Sequence, residues 1–348
     1  MALPDGITSN AVDTERIETH YLAGGTNDGE PVVFLHGNAS SSRFYAELMA
    51  ELPDEYRTLA PDFRGFGDSE RQPIDATRGL RDFADDVAAF LRELALDGVA
   101  VVGWSTGGGV AMRCAMAYPD LVDQLGFINP VSPYGFGGTR RDGSFCQSDA
   151  AGTGGGLANE DFQQRIEDDD RTTDHQSSPR NVLRTLYTAP TSTIDQEIED
   201  EYVDSILSTA VGDEYYPGDS EPSENWPGMA PGENGVNNAL SPKYCDLSGI
   251  VDIDEKPPVL WIRGAEDQVV SDTSLFDAGY LGQVGQLPDW PGEEAYPPQP
   301  MVAQTRDVLD EYESSGGTYE EVVVDETGHS PHIEKPDVVP EVLTDFLD

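Results

Sequence analysis

Short β-branched apolar runs punctuate the chain. EPVVFLHG (30–37) and GVAVVGWS (98–105) read as strands buried on both faces of a parallel sheet. YRTLAPDFRG (56–65) and KPPVLWIRGAED (256–267) repeat the pattern, and LVDQLGFINP (121–130) and TYEEVVVDE (318–326) follow it less cleanly. Between them apolar residues recur at helical spacing: SRFYAELMAEL (42–52), LRDFADDVAAFLREL (80–94), GGGVAMRCAMAY (107–118), MVAQTRDVLDEYE (301–313) and, as a closing helix despite its proline, DVVPEVLTDFL (337–347). Strands alternating with helices predict an α/β fold, a mostly parallel sheet with helices on both faces.

The alternation breaks at residues 134–242. This stretch is rich in Gly, Pro, Ser and acids, as in PGDSEPSENWPGMAPGENG, although NVLRTLYTA (181–189) and IDQEIEDEYVDSILSTA (194–210) keep helical spacing. The expectation is a core built from 1–133 and 243–348 with 134–242 inserted as a cap or lid; a disordered insertion is the alternative. A second irregular excursion occupies 281–300, and there are no internal repeats.

Charge changes the picture. The 348 residues carry 66 acids against 20 bases, a formal net charge of −46, and only Lys243, Lys256 and Lys335 are lysines. The acids are spread along the whole chain. In about 0.1 M salt, where the Debye length is roughly 10 Å, such a chain repels itself; at about 1 M the length falls to roughly 3 Å. A halophilic, cytoplasmic protein is therefore expected. The same charge argues against nucleic acid or anionic membrane as a partner. No run approaches a membrane span, and MALPDGITSNAVDTERIE lacks the basic start and apolar stretch of a signal peptide. Cys114, Cys146 and Cys245 are odd in number and far apart, which argues against a disulfide framework or a zinc site.

Gly103-Trp104-Ser105-Thr106-Gly107 fits G-x-S-x-G between a predicted strand and a predicted helix. In that setting the glycines permit a sharp, strained turn that exposes the serine. A hydroxyl is a poor nucleophile and needs a base, which in turn needs an orienting acid. His329 follows the last predicted strand and Asp267 the one before it, so Ser105, Asp267 and His329 stand in Ser…Asp…His order, each at a strand end. His332 is an alternative base, in a context that reads as packed, and Glu266 an alternative acid. The spacing of His329, His332 and Glu334 would suit a metal, but H-E-x-x-H and a further ligand are lacking. The developing oxyanion needs donors: the N–H of Thr106 is one, and the N–H of Asn38 in FLHGNASSS the second, with His36 in a structural role in that loop.

HGNASSS, PDFRGFGDS, GWSTGGGVA, GAEDQVV and TGHSPHIEKP together resemble the α/β-hydrolase superfamily across roughly 15–133 and 243–348. The resemblance implies an α/β-hydrolase fold with Ser105 as nucleophile, Asp267 as acid, His329 as base, and Asn38 and Thr106 as the oxyanion hole. It gives Asp62–Ser69 a structural role. Dehalogenase-like and epoxide-hydrolase-like members use an aspartate at the elbow, so the serine points instead to esterases, lipases, lactonases and C–C bond hydrolases. The G-W-S-x-G-G elbow with HGN is similar to intracellular depolymerases of short-chain polyhydroxyalkanoate. The implied activity is hydrolysis of a small-molecule ester through an acyl-enzyme, with no cofactor or metal. A C–C hydrolase or lactonase using the same triad is the alternative, with Arg140, Arg141, Arg180 and Arg184 available for substrate carboxylates. A non-enzymatic receptor or scaffold is the other. Tyr134, Phe136, Tyr187, Tyr215, Tyr216 and Trp226 are candidate pocket aromatics.

Overall fold

A hairpin that the hydrophobic pattern does not predict opens the sheet: β1 (Thr8–Asp13) and β2 (Glu18–Gly25), antiparallel to each other. β1 is an edge strand of exposed and half-buried residues, so no apolar run announces it. The six predicted runs follow as β3 (Glu30–Leu35), β4 (Tyr56–Pro61), β5 (Val99–Trp104), β6 (Val122–Ile128), β7 (Val259–Gly264) and β8 (Tyr319–Val324). The computed structural model in which they lie describes residues 3–348.

The strand order is β1-β2-β4-β3-β5-β6-β7-β8; β2 pairs antiparallel with β4, and every pairing from β4 to β8 is parallel. All six residues of β5 are buried, as a central strand covered on both faces requires. Helix α1 (Ala46–Glu51) packs with the closing helix, α2 (Arg81–Glu93) lies against α3 (Thr106–Ala117), and α3 packs on β5 and β6. The chain steps outward from β3 to β4, then returns to place β5 on β3's other side. The loops after β3 and β5 therefore part at a topological switch point, where sheets of this kind open a crevice at their carboxyl ends.

The long stretch between β6 and β7 is folded. It carries α4 (Glu160–Glu167), a five-residue π-helical turn at Leu183–Tyr187, α5 (Gln196–Leu207) and short two-stranded ribbons. α5 sits on the loop after β3: Tyr202 stacks on Phe44 at 4.6 Å between ring centroids, Ser205 Oγ lies 2.6 Å from Ser41 Oγ, and Arg43 pairs with Glu201 at 3.2 Å. The second excursion packs on the first, the Tyr296 hydroxyl donating to the carbonyls of Ala151 and Gly152. α6 (Met301–Ser314) and α7 (Val339–Leu347) complete the order.

Candidate active site

Ser105 stands between β5 and α3 with φ +56° and ψ −118°, a conformation that L-residues rarely adopt. The turn is pinned at both ends: the Ser105 N–H donates to Ile128 O at 3.0 Å, and the Ser105 carbonyl accepts from Gly108 and Val131. A side chain at Gly103 would collide with the backbone of Gly107, and one at Gly107 with the Leu35 carbonyl. The two glycines therefore let strand, elbow and helix close on each other. Ser105 itself remains part-exposed.

The loop after β3 lies directly over this elbow, since a Cβ on Gly37 would come 3.2 Å from Ser105 Cβ. His36 organises the loop. Its Nε2 accepts from Phe63 N–H at 2.9 Å, so the proton sits on Nδ1, which faces the Gly37 carbonyl at 2.7 Å. Burial lowers its pKa to about 4, so the ring is neutral. The Ser40 hydroxyl donates to the same carbonyl at 2.8 Å. The Gly37–Asn38 peptide is planar, so anchoring its C=O there turns the Asn38 N–H the opposite way. Among the described residues, neither the backbone N–H of Asn38 nor that of Thr106, at the start of α3, donates to a protein acceptor.

Asp267 and His329 meet. His329 Nδ1 lies 2.9 Å from Asp267 Oδ2, with both side chains almost wholly buried. Asp267 Oδ1 accepts from Val269 and Val270 N–H at 2.7 and 3.2 Å, which fixes the carboxylate plane. Trp104, the residue before Ser105, donates its indole N–H to the His329 carbonyl at 2.8 Å, bringing the histidine loop to the elbow. No hydrogen bond links Ser105 Oγ to His329 among the described residues; such contacts are often loose before substrate binds.

The alternatives separate cleanly. Glu266 is exposed, and its N–H is tied to Thr327 O. His332 is fully buried between the rings of Tyr45 and Trp104, each 5.1 Å away, and burial lowers its pKa to about 3. Neither of its nitrogens has a hydrogen-bond partner among the described residues. Asp62, in the stretch expected to be structural, accepts from Ser42 and Asp68 N–H and faces His20 Nδ1 at 2.6 Å.

Several residues of the site escape sequence reasoning. Asn129, at φ +40° just past β6, donates to the carbonyls of Gly328 and His329 and accepts from Gly264 N–H, tying the end of β7 to the histidine loop. Glu334 accepts from Gly328 and Ser330 N–H on that loop and from Ala189 N–H and Ser192 Oγ on the 188–192 segment. Burial raises its pKa against the pull of those donors. The only local signal was an asparagine closing an apolar run; the other contacts join distant parts of the chain.

Each arginine considered for substrate carboxylates is already engaged. Arg141 forks onto Asp307 at 2.7 and 2.8 Å, Arg184 onto Glu199 at 2.6 and 2.9 Å, and Arg180 reaches Asp200 at 2.6 Å. Arg140 donates to the carbonyls of Phe145, Glu294 and Ala295.

The alpha/beta hydrolase fold family matches residues 30–279, and the chain belongs to that family. The chain is similar to 2-(acetamidomethylene)succinate hydrolase of Mesorhizobium japonicum, 35% identical over 130 residues, 37% of this chain and 45% of that protein. It is also similar to a soluble epoxide hydrolase of Corynebacterium sp., 34% identical over 112 residues, 32% of this chain and 38% of that protein. The chain thus spans less than half the length of these curated relatives. A thermophilic esterase from Thermogutta terrifontis shares the fold at a TM-score of 0.58 and 20% identity, over 98% of each chain. Among the described residues no helix is long and apolar enough to cross a membrane.

Proposed function

We propose that this protein is a serine hydrolase that cleaves carboxylic esters of small molecules through an acyl-enzyme. The observation that carries the reading is the strained, part-exposed Ser105, next to the Trp104 whose indole holds the His329 carbonyl, together with a buried His329–Asp267 pair 2.9 Å apart. With Nδ1 directed at the Asp267 carboxylate, the ring proton resides on Nδ1 and Nε2 keeps its lone pair. Nε2 takes the Ser105 proton as Oγ attacks the ester carbonyl, and Asp267 stabilises the imidazolium that forms. The amides of Asn38 and Thr106 receive the oxyanion. Collapse expels the alcohol, which leaves with the proton from Nε2. A water then gives one proton to Nε2 and its oxygen to the acyl carbon, and breakdown of the second tetrahedral species frees the acid and Ser105, whose Oγ takes the proton back from Nε2.

The serine also sets this chain apart from the epoxide-hydrolase relative, since the resemblance implies an aspartate at the elbow of epoxide-hydrolase-like members. A dianionic substrate, as for the C–C hydrolase alternative, would need unpaired cations. Three of the four candidate arginines are paired with carboxylates, which leaves only Arg140, held by three backbone carbonyls, as a cation without a carboxylate partner. An uncharged ester therefore suits the site better, with short-chain and 3-hydroxyalkanoate oligomer esters the first to try. We assign 134–242 as the cap that closes over them, in a cytoplasmic, salt-adapted protein.

The test is hydrolysis of p-nitrophenyl esters from acetate to dodecanoate and of 3-hydroxybutyrate oligomers, in about 3 M salt to screen the charge. Ser105→Ala is expected to keep the wild-type circular dichroism and lose turnover by about four orders of magnitude or more. Near-native turnover in that variant would remove Ser105 from the mechanism. Silence of the wild type on every ester, with a fluorophosphonate still labelling Ser105, would turn the reading toward C–C bond hydrolysis.

A further inference from the structure

The loop that carries the Asn38 amide is strained. Ala39, the next residue, sits at φ +44°, where a non-glycine residue needs outside restraint. That restraint comes from the long stretch between β6 and β7, on two sides. The Tyr187 hydroxyl donates to the Asn38 carbonyl at 3.0 Å and to the Ala39 carbonyl at 3.1 Å. The Asn38 side chain accepts from Ala39 N–H through Oδ1 and donates through Nδ2 to Asn237 Oδ1 at 2.7 Å.

The delivery of Tyr187 is itself unusual. It closes the π-helical turn Leu183–Tyr187, in which Thr188 N–H reaches back five residues to Leu183 O at 3.0 Å. Such turns are uncommon and frequently mark functional positions. The ring stands edge-on to Trp104 at 5.7 Å and to His329 at 6.4 Å, so one side chain touches both the oxyanion loop and the surroundings of the proposed base. Burial pushes its hydroxyl far above the ordinary tyrosine value, so it remains a donor throughout the range in which an ester hydrolase works. The same segment continues into Ala189 and Ser192, which Glu334 ties to the histidine loop.

We propose that Tyr187 and Asn237 are positioning residues for ester hydrolysis, holding the strained Asn38–Ala39 turn so that the Asn38 N–H is already aimed when the tetrahedral oxyanion forms. The inference rests on the serine-hydrolase reading above. On it, residues of the inserted stretch do more than enclose substrate: they help assemble a donor site whose two amides belong to the core. Preorganised donors act on the transition state and leave ground-state binding nearly untouched.

Tyr187→Phe removes the hydroxyl and keeps the ring against Trp104 and His329; Asn237→Ala cuts the other tether. Each is expected to lower kcat on a short p-nitrophenyl ester by roughly ten- to a hundredfold with KM little changed. Affinity for a trifluoromethyl ketone, whose serine adduct places an oxyanion against these amides, should fall by a similar factor. Thermal unfolding should show both variants folded. A purely structural role predicts lowered unfolding temperature with kcat and ketone affinity preserved in the folded fraction, and that result overturns the proposal. So does a kcat within twofold of wild type in both variants. If wild type cleaves no ester and fluorophosphonate leaves Ser105 unlabelled, the underlying serine-hydrolase reading fails; if wild type is active and only the variants are unaffected, this inference alone fails.

Discussion

His36 and His332 are both fully buried and held neutral, yet their surroundings differ. His36 uses both nitrogens, one accepting from Phe63 and one donating to Gly37, and so fixes the loop over Ser105. His332 uses neither, and its ring serves as packing between Tyr45 and Trp104. In the sequence His329 and His332 stand three positions apart in one loop, and either could have been the base; contact with Asp267 separates them. The idle ring has a consequence for acid stability. Its pKa is about 6.5 in an unfolded chain and about 3 in the folded one, so between those values the unfolded state binds a proton that the folded state refuses. Stability from this group is therefore complete above pH 6.5 and declines by about 1.4 kcal/mol per pH unit as the pH falls toward 3. His332→Leu removes that dependence. Denaturant titrations of the two proteins between pH 7 and pH 4 should show the wild type losing stability faster by about one proton's slope. Parallel curves would mean that His332 is protonated in the fold.

Helix α2 shows what a charge pattern conceals. RDFADDVAAFLRE belongs to a stretch read from its helical spacing, and its acids Asp82, Asp85 and Asp86 are all buried. They meet Arg16, Arg64, Arg78 and Arg81 from four positions in the chain. Arg64, from the DFRGFG loop, forks onto Asp86 through Nε and Nη2 at 2.6 and 2.7 Å, both side chains nearly inaccessible. Arg64→Met would leave Asp86 to Arg16 alone, and removing one partner of a buried pair costs about 3 kcal/mol. A urea titration should show that loss with the proposed ester turnover per folded molecule unchanged; an unaltered midpoint would place the network's stability elsewhere. The same contrast governs what could be read in advance. β3 to β7 were legible because strands inside the sheet need apolar runs, β8 through the three valines that end an otherwise polar edge strand, and the G-x-S-x-G turn because its glycines answer to local backbone clashes. β1 was not, being a polar edge strand, nor was α4, which buries only Phe162 and Ile166. Tyr187 was legible only as a candidate pocket aromatic; its hydroxyl contacts, like those of Asn129, Asn237 and Glu334, join distant segments, which no local pattern encodes.

At the scale of the whole molecule, the bases are largely spent locally. The α2 network, the Arg180 and Arg184 pairs with Glu199, and the bridge from Arg263 and Arg306 to Glu321 engage eight of the chain's arginines with carboxylates. The remaining excess of the 66 acids over 20 bases acts collectively. Close, buried pairs are weakly screened by salt, whereas repulsion among exposed acids is strongly screened. The two therefore respond differently, and the folded state should gain stability as salt is added. The gain should be steepest between about 0.1 and 1 M NaCl, where the Debye length contracts from roughly 10 Å to roughly 3 Å, and shallower beyond. Far-UV circular dichroism followed through thermal unfolding at stepped NaCl concentrations reads this directly. Choline chloride at matched ionic strength separates screening from binding of a particular cation, since screening needs only charge. A midpoint that rises equally in both salts assigns the effect to the net charge. A midpoint flat from about 0.1 to 3 M in both would mean that the internal arginine–carboxylate pairs already balance the repulsion, and that the acidic surface places no salt requirement on the fold.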